Sequence, residues 1–281
     1  MQNKYKRRAF LKGATSSAAV TLFGATGLLM AMPARAQQSV RGSKKYGVKA
    51  VVFDMNGTVL DLHTTWMREA EKILKPRGFN LDWLAFTRAL VAEYPKSIAP
   101  IRDQHKPFKN TDILFRENLE RVLPAFGVKD QPKDVVDQLD RIWHRIDAWP
   151  DVTSGMAALR KNFLLAPCSN DCVAMMVDCA RYNNIVFDAI LGGEYAQDYK
   201  PAPDVYIKTA EAFGLRTTEI MYTAAAGHTS DMEGAARTGM KIAGVARPDE
   251  GGVKGKGVSV PTFKVDIAAK DLNDLNAQLM A

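Results

Sequence analysis

Five short apolar runs, each the length of a buried strand, recur along this chain with helical stretches between them. Val48-Lys49-Ala50-Val51-Val52-Phe53 is rich in β-branched residues and ends at Asp54. Asn162–Ala166, Asp188–Leu191, Glu219–Tyr222 and Lys241–Val245 repeat the style. Strands that are apolar at almost every position are covered on both faces, and parallel strands need a helix to cross over. Asp171–Tyr182, Pro203–Phe213 and Asp231–Thr238 supply those helices, with Pro203 opening one and Gly214 and Gly239 closing two. The pattern predicts an α/β fold: a doubly wound, Rossmann-like parallel sheet, with functional residues at the carboxyl ends of its strands.

One stretch breaks the alternation. Residues 62–149 contain no strand-like run and read as helices over Arg68–Lys75, Leu81–Tyr94, Thr111–Leu123 and Lys133–Ile146, separated by Pro95, Pro100, Pro107, Pro124 and Pro132. This predicts a helical cap domain over 62–149, inserted into a core formed by 47–61 and 150–281. Gly251 to Gly257 reads as a flexible surface loop.

The amino terminus reads as an export signal. Arg7-Arg8-Ala9-Phe10-Leu11-Lys12 resembles a twin-arginine motif, residues 13–34 are uncharged and mildly apolar, and Ala34-Arg35-Ala36 fits a cleavage site. Residues 1–36 are therefore expected to be removed, residues 37–46 to form a polar tether, and the mature protein to be periplasmic or otherwise exported. The export machinery is then a partner. Charge follows the same division. The chain carries +7, but residues 1–36 hold six bases and no acid, leaving 32 basic against 31 acidic residues beyond them. A nearly neutral body gives no support to a nucleic-acid partner. Cys168, Cys172 and Cys179 are too few and too odd in number for a disulfide framework and match no zinc spacing, so buried thiols are expected.

Chemistry-bearing residues recur at successive strand ends. Asp54-Met55-Asn56-Gly57-Thr58 follows the first strand, Ser169-Asn170 follows the second, Lys200-Pro201 follows the third, and Asp231 starts the helix after the fourth. A nucleophile, hydroxyls, a lysine and an acid could thus converge. His63, His105 and His144 have no carboxylate at a telling spacing and read as structural or surface residues.

This order resembles the haloacid dehalogenase superfamily, and within it the type II 2-haloacid dehalogenases. Phe53–Val59, Ala166–Asn170, Asp198–Tyr206, Trp143–Val152 and Ala225–Ala235 carry the likeness, which spans nearly the whole mature chain. The resemblance implies a hydrolase acting on short 2-haloalkanoic acids through an aspartyl ester. Asp54 would be the nucleophile, Lys200 would keep it ionised, and Asp231 would orient Lys200 or activate water. Thr58, Ser169 and Asn170 would bind carboxylates. Arg88, six residues before Tyr94, matches the spacing of an Arg and a Tyr in the dehalogenase cap and would face the halide. Met55, Asn56, Tyr206 and His228 would line the substrate pocket. The branch commonly has Tyr where Asn56 stands, Ser where Ala226 stands, Asn where His228 stands and Trp where Ser230 stands. A variant subgroup carries Ala-Ala-His-x-x-Asp, which Ala226–Asp231 approaches.

Superfamily phosphatases use a second acid at the position of Asn56 and a metal-binding Asp at that of Gly227. A carboxamide cannot protonate a leaving alcohol, and one carboxylate is a poor magnesium site. No cofactor and no metal are therefore expected. A phosphatase and a catalytically silent exported small-acid or protein binder are the competing readings, and the resemblance allows a homodimer.

Overall fold

The structure is a computed structural model and describes residues 40–103 and 106–281. The twin-arginine motif, its apolar stretch and cleavage site, and His105 lie outside the described residues. Within them, no helix is long and apolar enough to cross a membrane.

Six strands form one sheet: β1 (Ala50–Phe53), β2 (Leu164–Ser169), β3 (Leu191–Gly192), β4 (Ile220–Ala225), β5 (Lys241–Val245) and β6 (Ile267–Ala269). Their order is β3-β2-β1-β4-β5-β6, with every neighbouring pair parallel. The doubly wound sheet is as expected. Every residue of β1 and of β4 is buried, which is why their sequences show no polar alternation. β6 was not legible, because three residues alternating buried, exposed, buried at a sheet edge leave almost no apolar run. The expected third strand shrinks to Leu191–Gly192, while Asp188 turns inward to accept the Leu165 N–H at 2.9 Å.

Around the sheet run α5 (Val152–Arg160), α6 (Val173–Tyr182), α7 (Gly193–Ala196), α8 (Pro203–Ala212), α9 (Thr229–Arg237) and α10 (Leu272–Met280). The insert comprises α1 (Leu62–Leu74), α2 (Trp83–Arg102), α3 (Thr111–Ala125) and α4 (Lys133–Asp140), closed by a 3-10 turn over Arg141–Arg145. Asp61, Asp82 and Asn110 cap the first three by accepting the N–H groups of Thr64, Ala85 and Ile113. Pro95 and Pro100 do not break α2. An interior proline costs roughly 3 kcal/mol, and burial of Phe86, Leu90, Ile98 and Ile101 along the same helix outweighs it.

The described residues fall in one compact unit. A single apolar cluster runs from Val51 and Phe53 in β1 through Leu60 to Trp66, Phe115 and Trp143 of the insert. Trp143 packs between Trp66 and Phe115, with centroids 4.8 and 4.1 Å away. Two segments that read as a tether and a loop are held by backbone hydrogen bonds. The tether is docked by residue 42, where the Gly42 N–H donates to Asn162 at 2.9 Å and Ser43 bridges to Val48. The loop at Gly251–Gly257 is folded back, with the Gly257 N–H on the Pro248 carbonyl at 2.7 Å. A Cβ at Gly252 would come within 3.1 Å of Leu84, His63 and Met67.

All three cysteines are buried free thiols, as expected. Cys172 caps α6 through its sulfur, and Cys179 donates to the Trp143 carbonyl, each across buried apolar surface. Burial pushes both thiols up to about 12, so neither is a ready nucleophile.

Candidate active site

β1, β2 and β4 are adjacent, and the sheet reverses its winding at β1, where a crevice opens beyond the carboxyl ends. Asp54 stands at that end, anchored by its N–H to the Thr223 carbonyl at 2.9 Å. Its side chain is 8% exposed. Lys200 donates to Oδ1 at 2.6 Å. Thr58 donates to Oδ2 at 2.8 Å while accepting the Ala225 N–H at 2.7 Å, which fixes its hydroxyl. Nδ1 of His228 lies 3.0 Å from the same oxygen. Burial alone would raise the Asp54 pKa. The Lys200 charge and the His228 and Lys200 hydrogen bonds overcome it and hold the carboxyl well below the usual range.

Lys200 is itself buried and reaches Asp231 Oδ2 at 2.6 Å and the Tyr222 hydroxyl at 3.0 Å. Burial opposes its charge, yet Asp231 and Asp54 raise its pKa well above the ordinary value. Asn170 accepts the Lys200 backbone N–H at 2.7 Å and so places the lysine. His228 joins Asp54 to Glu250, with Nε2 only 2.6 Å from Oε1. Burial would neutralise the imidazole, but those two acids hold its pKa well above the ordinary value, so it rests as a cation.

A cavity of about 360 Å³ opens on this cluster. Asp54, Asn56, Ser169, Asn170, Lys200, His228 and Asp231 line its floor, and Tyr94, Val91, Phe115, Trp143 and Leu62 of the insert form an apolar roof. Thus seven of the expected site residues, with Tyr94, meet in one place and Thr58 braces them from behind.

Three do not. Met55 is fully buried in the apolar core. Tyr206 is also buried, and its hydroxyl donates to the Asp231 carbonyl at 3.0 Å, so it props the acid rather than lining the pocket. Arg88 is exposed and donates to the Gly251 carbonyl at 3.1 Å. The helical repeat explains it: six residues at about 100° each leave Arg88 and Tyr94 roughly 120° apart around α2, and Val91 with Tyr94 take the pocket face.

Four lining or supporting residues escaped the sequence. Asp171 accepts from Asn56 Nδ2 and from Ser169 Oγ, both at 2.8 Å. Two donors expected to hold the substrate are therefore engaged by a third carboxyl. Burial pushes Asp171 up to about 7, against the Ser169 hydrogen bond and with help from the Asp54 charge. Its place directly after Ser169-Asn170 was the available signal. Tyr222 lies within β4, where an aromatic reads as core. Glu250 and His63 approach the site through the folded-back loop and α1, and nothing in their local sequence marks them. His144 bridges Asp112 and Asp178 at 3.1 and 2.8 Å and does not itself line this pocket, as a structural histidine.

Residues 48–223 match the family of haloacid dehalogenase-like hydrolases. The chain belongs to that family. It is 25% identical over 219 residues to (S)-2-haloacid dehalogenase 1 of Pseudomonas sp. strain CBS-3, covering 72% of this chain and 88% of that one. It is 22% identical to the fructose-1-phosphate phosphatase YqaB of Escherichia coli, over 60% of this chain and 82% of that one. Among solved structures, the defluorinating L-2-haloacid dehalogenase Rha0230 superposes with a TM-score of 0.79 at 34% identity, covering 86% of this chain and all of that one. The L-2-haloacid dehalogenase PA0810 does so with 0.76 at 29%, covering 83% and 98%.

Magnesium, used by phosphatases of the superfamily, does not fit this haloacid dehalogenase-like site. Asp54, His228 and Asp231 offer atoms within 4.8 Å of one another. However, both carboxylates already face the Lys200 ammonium at 2.6 Å, and His228 rests as a cation. Gly227 adds no ligand, and a Cβ there would lie 3.2 Å from Val258. Hydrolytic turnover is expected to be unchanged after exhaustive chelation and dialysis. Loss of activity that magnesium restores would refute this.

Proposed function

We propose that this hydrolase is a dehalogenase of short 2-haloalkanoic acids, releasing halide and a 2-hydroxy acid through an ester on Asp54. The observation that carries the reading is a buried, ionised carboxylate with no acid two residues on. Asn56 cannot protonate a leaving group, and halide needs no proton. The Asp54 carboxylate displaces halide from the α-carbon with inversion. Water then attacks the aspartyl carbonyl and frees the hydroxy acid. Lys200 keeps Asp54 ionised and steadies the second transition state, and Asp231 orients Lys200. With Ser169 and Asn56 given to Asp171, the substrate carboxylate is left to the Asn170 amide and to the protonated form of Asp171. The roof of Val91, Phe115 and Trp143 excludes water, which sharpens the nucleophile. The deciding experiment is halide release from chloro-, bromo- and fluoro-substituted acetate and propionate beside release of phosphate from p-nitrophenyl phosphate. Phosphate release without halide release would reverse the assignment.

The reaction takes place outside the cytoplasm on this reading, since the Arg7-Arg8 motif suits export of an already folded chain. Replacing both arginines with lysine is expected to leave full-length precursor in the cytoplasm. Undiminished export of the double variant would refute the signal.

A further inference from the structure

The second half-reaction needs a base for water, and the cluster narrows the choice. Asp231 is committed to Lys200 at 2.6 Å and to the Tyr222 hydroxyl at 3.2 Å. Both contacts fall on Oδ2 and turn that oxygen to Lys200. His228 has the other position next to Asp54, with Nδ1 on Asp54 Oδ2 at 3.0 Å and Nε2 on Glu250 Oε1 at 2.6 Å. Glu250 is placed by the loop that Arg247 ties down: the Arg247 guanidinium holds both Asp151 oxygens and the Thr58 carbonyl, and the Glu250 N–H donates to the Arg247 carbonyl. Room for the pair is built in. A Cβ on Gly57 would lie 2.5 Å from Glu250 Oε1 and 3.0 Å from His228 Cε1, and its φ of +80° suits glycine alone.

From this geometry, and resting on the dehalogenase reading above, we infer that His228 is the general base that hydrolyses the Asp54 ester, with Glu250 as its positioning residue. In the resting enzyme His228 is an imidazolium between two carboxylates. Attack on the substrate converts Asp54 into a neutral ester, and the chloride, bromide or fluoride departs with the bonding pair. His228 then loses one of the two charges that held its proton. Its side chain is 26% exposed, so the Nδ1 proton passes to solvent while Nε2 keeps its own proton, donated in a hydrogen bond to Glu250. This is the single proton that net hydrolysis releases. The neutral Nδ1 now faces the aspartyl carbonyl. A water oxygen bonds to Asp54 Cγ as one of its protons passes to Nδ1. Collapse breaks the bond from Cγ to the substrate oxygen, which leaves as the hydroxy acid with the second water proton. Asp54 and the His228 cation are restored. The same cation–carboxylate pair thus serves as a charge partner in the first step and as a base in the second.

The test separates the two steps. Wild type, His228→Gln and Glu250→Gln are mixed with excess (S)-2-chloropropionate, and chloride release and intact-protein mass are followed together. Gln keeps a hydrogen-bonding amide near Asp54 but cannot take the proton. His228→Gln is expected to release about one chloride per site and then slow by roughly 10²–10⁴-fold, the usual share of a general base, with the 1-carboxyethyl ester accumulating on Asp54. Glu250→Gln is expected to show a smaller adduct fraction and a kcat lowered with little change in the burst rate. A merely structural role would weaken both phases alike and trap no ester. A folded His228→Gln that turns over at the wild-type rate, or that shows neither burst nor adduct, overturns the inference. So does a Glu250→Gln variant matching wild type in both phases. If wild type itself releases no halide from any haloacid, the dehalogenase reading falls and this role with it.

Discussion

Asp54→Asn is expected to lose halide release by several orders of magnitude while the protein still folds. The amide is a far poorer nucleophile, and a step that cannot start cannot be rescued by the rest of the site. The fold should survive because Asn keeps an oxygen for Thr58 or Lys200 and nearly the same volume. The companion result is isotopic. A single turnover of wild type in ¹⁸O-water, with enzyme in excess, should put heavy oxygen into the peptide carrying Asp54 and leave the first hydroxy acid unlabelled. The oxygen delivered to that acid comes from the carboxylate, and the solvent oxygen replaces it in the protein. Label found in the product of the first turnover, and never in the protein, would mean that water attacks the substrate directly. Asp54 would then be a base rather than a nucleophile.

Lys200→Ala is expected to have the second largest effect, and on stability as well as rate. The ammonium lies between Asp54 and Asp231 at 2.6 Å from each, and its side chain is 1% exposed. Removing it leaves two carboxylates facing each other across a buried gap. Breaking a buried pair in this way costs roughly 3–5 kcal/mol, a fall in Tm of roughly 6–20 °C for a chain near this size. The direction of the pH dependence is fixed too. In wild type the Asp54 carboxyl titrates well below its usual range, so activity should show no acid limb from this group above pH 4. Without Lys200, burial raises that pKa. The neutral form then dominates at low pH, and residual activity should climb as pH rises and Asp54 ionises. A variant that keeps wild-type Tm and a flat profile would show that Lys200 does not hold the nucleophile.

The central strands were legible because a strand buried on both faces has to be apolar throughout, and Ala50–Phe53 and Ile220–Ala225 obey that. Asp54, Ser169 and Lys200 were legible for a related reason: parallel strands present their carboxyl ends on one side, so polar residues there are near one another before any contact is known. The helical insert showed itself as a long absence of strand. Its prolines misled, since local propensity at Pro95 and Pro100 is overridden by side-chain burial elsewhere on α2.

What the sequence determined by itself was therefore the layout: where five of the six strands lie, that Asp54 stands at the end of the first, and that a second acid is missing at Asn56. Only the tertiary structure decided the partners. Glu250 meets His228 across 22 residues and Asn56 meets Asp171 across 115, distances in sequence that no helical or strand period spans. Arg88, by its spacing from Tyr94, and Tyr206, by resemblance, were expected to line the pocket and do not, because the face a side chain presents depends on how its helix is rotated against the rest. Periodicity is set by the backbone and can be read locally, whereas proximity between distant charges is set by packing, which exists only once the chain has closed.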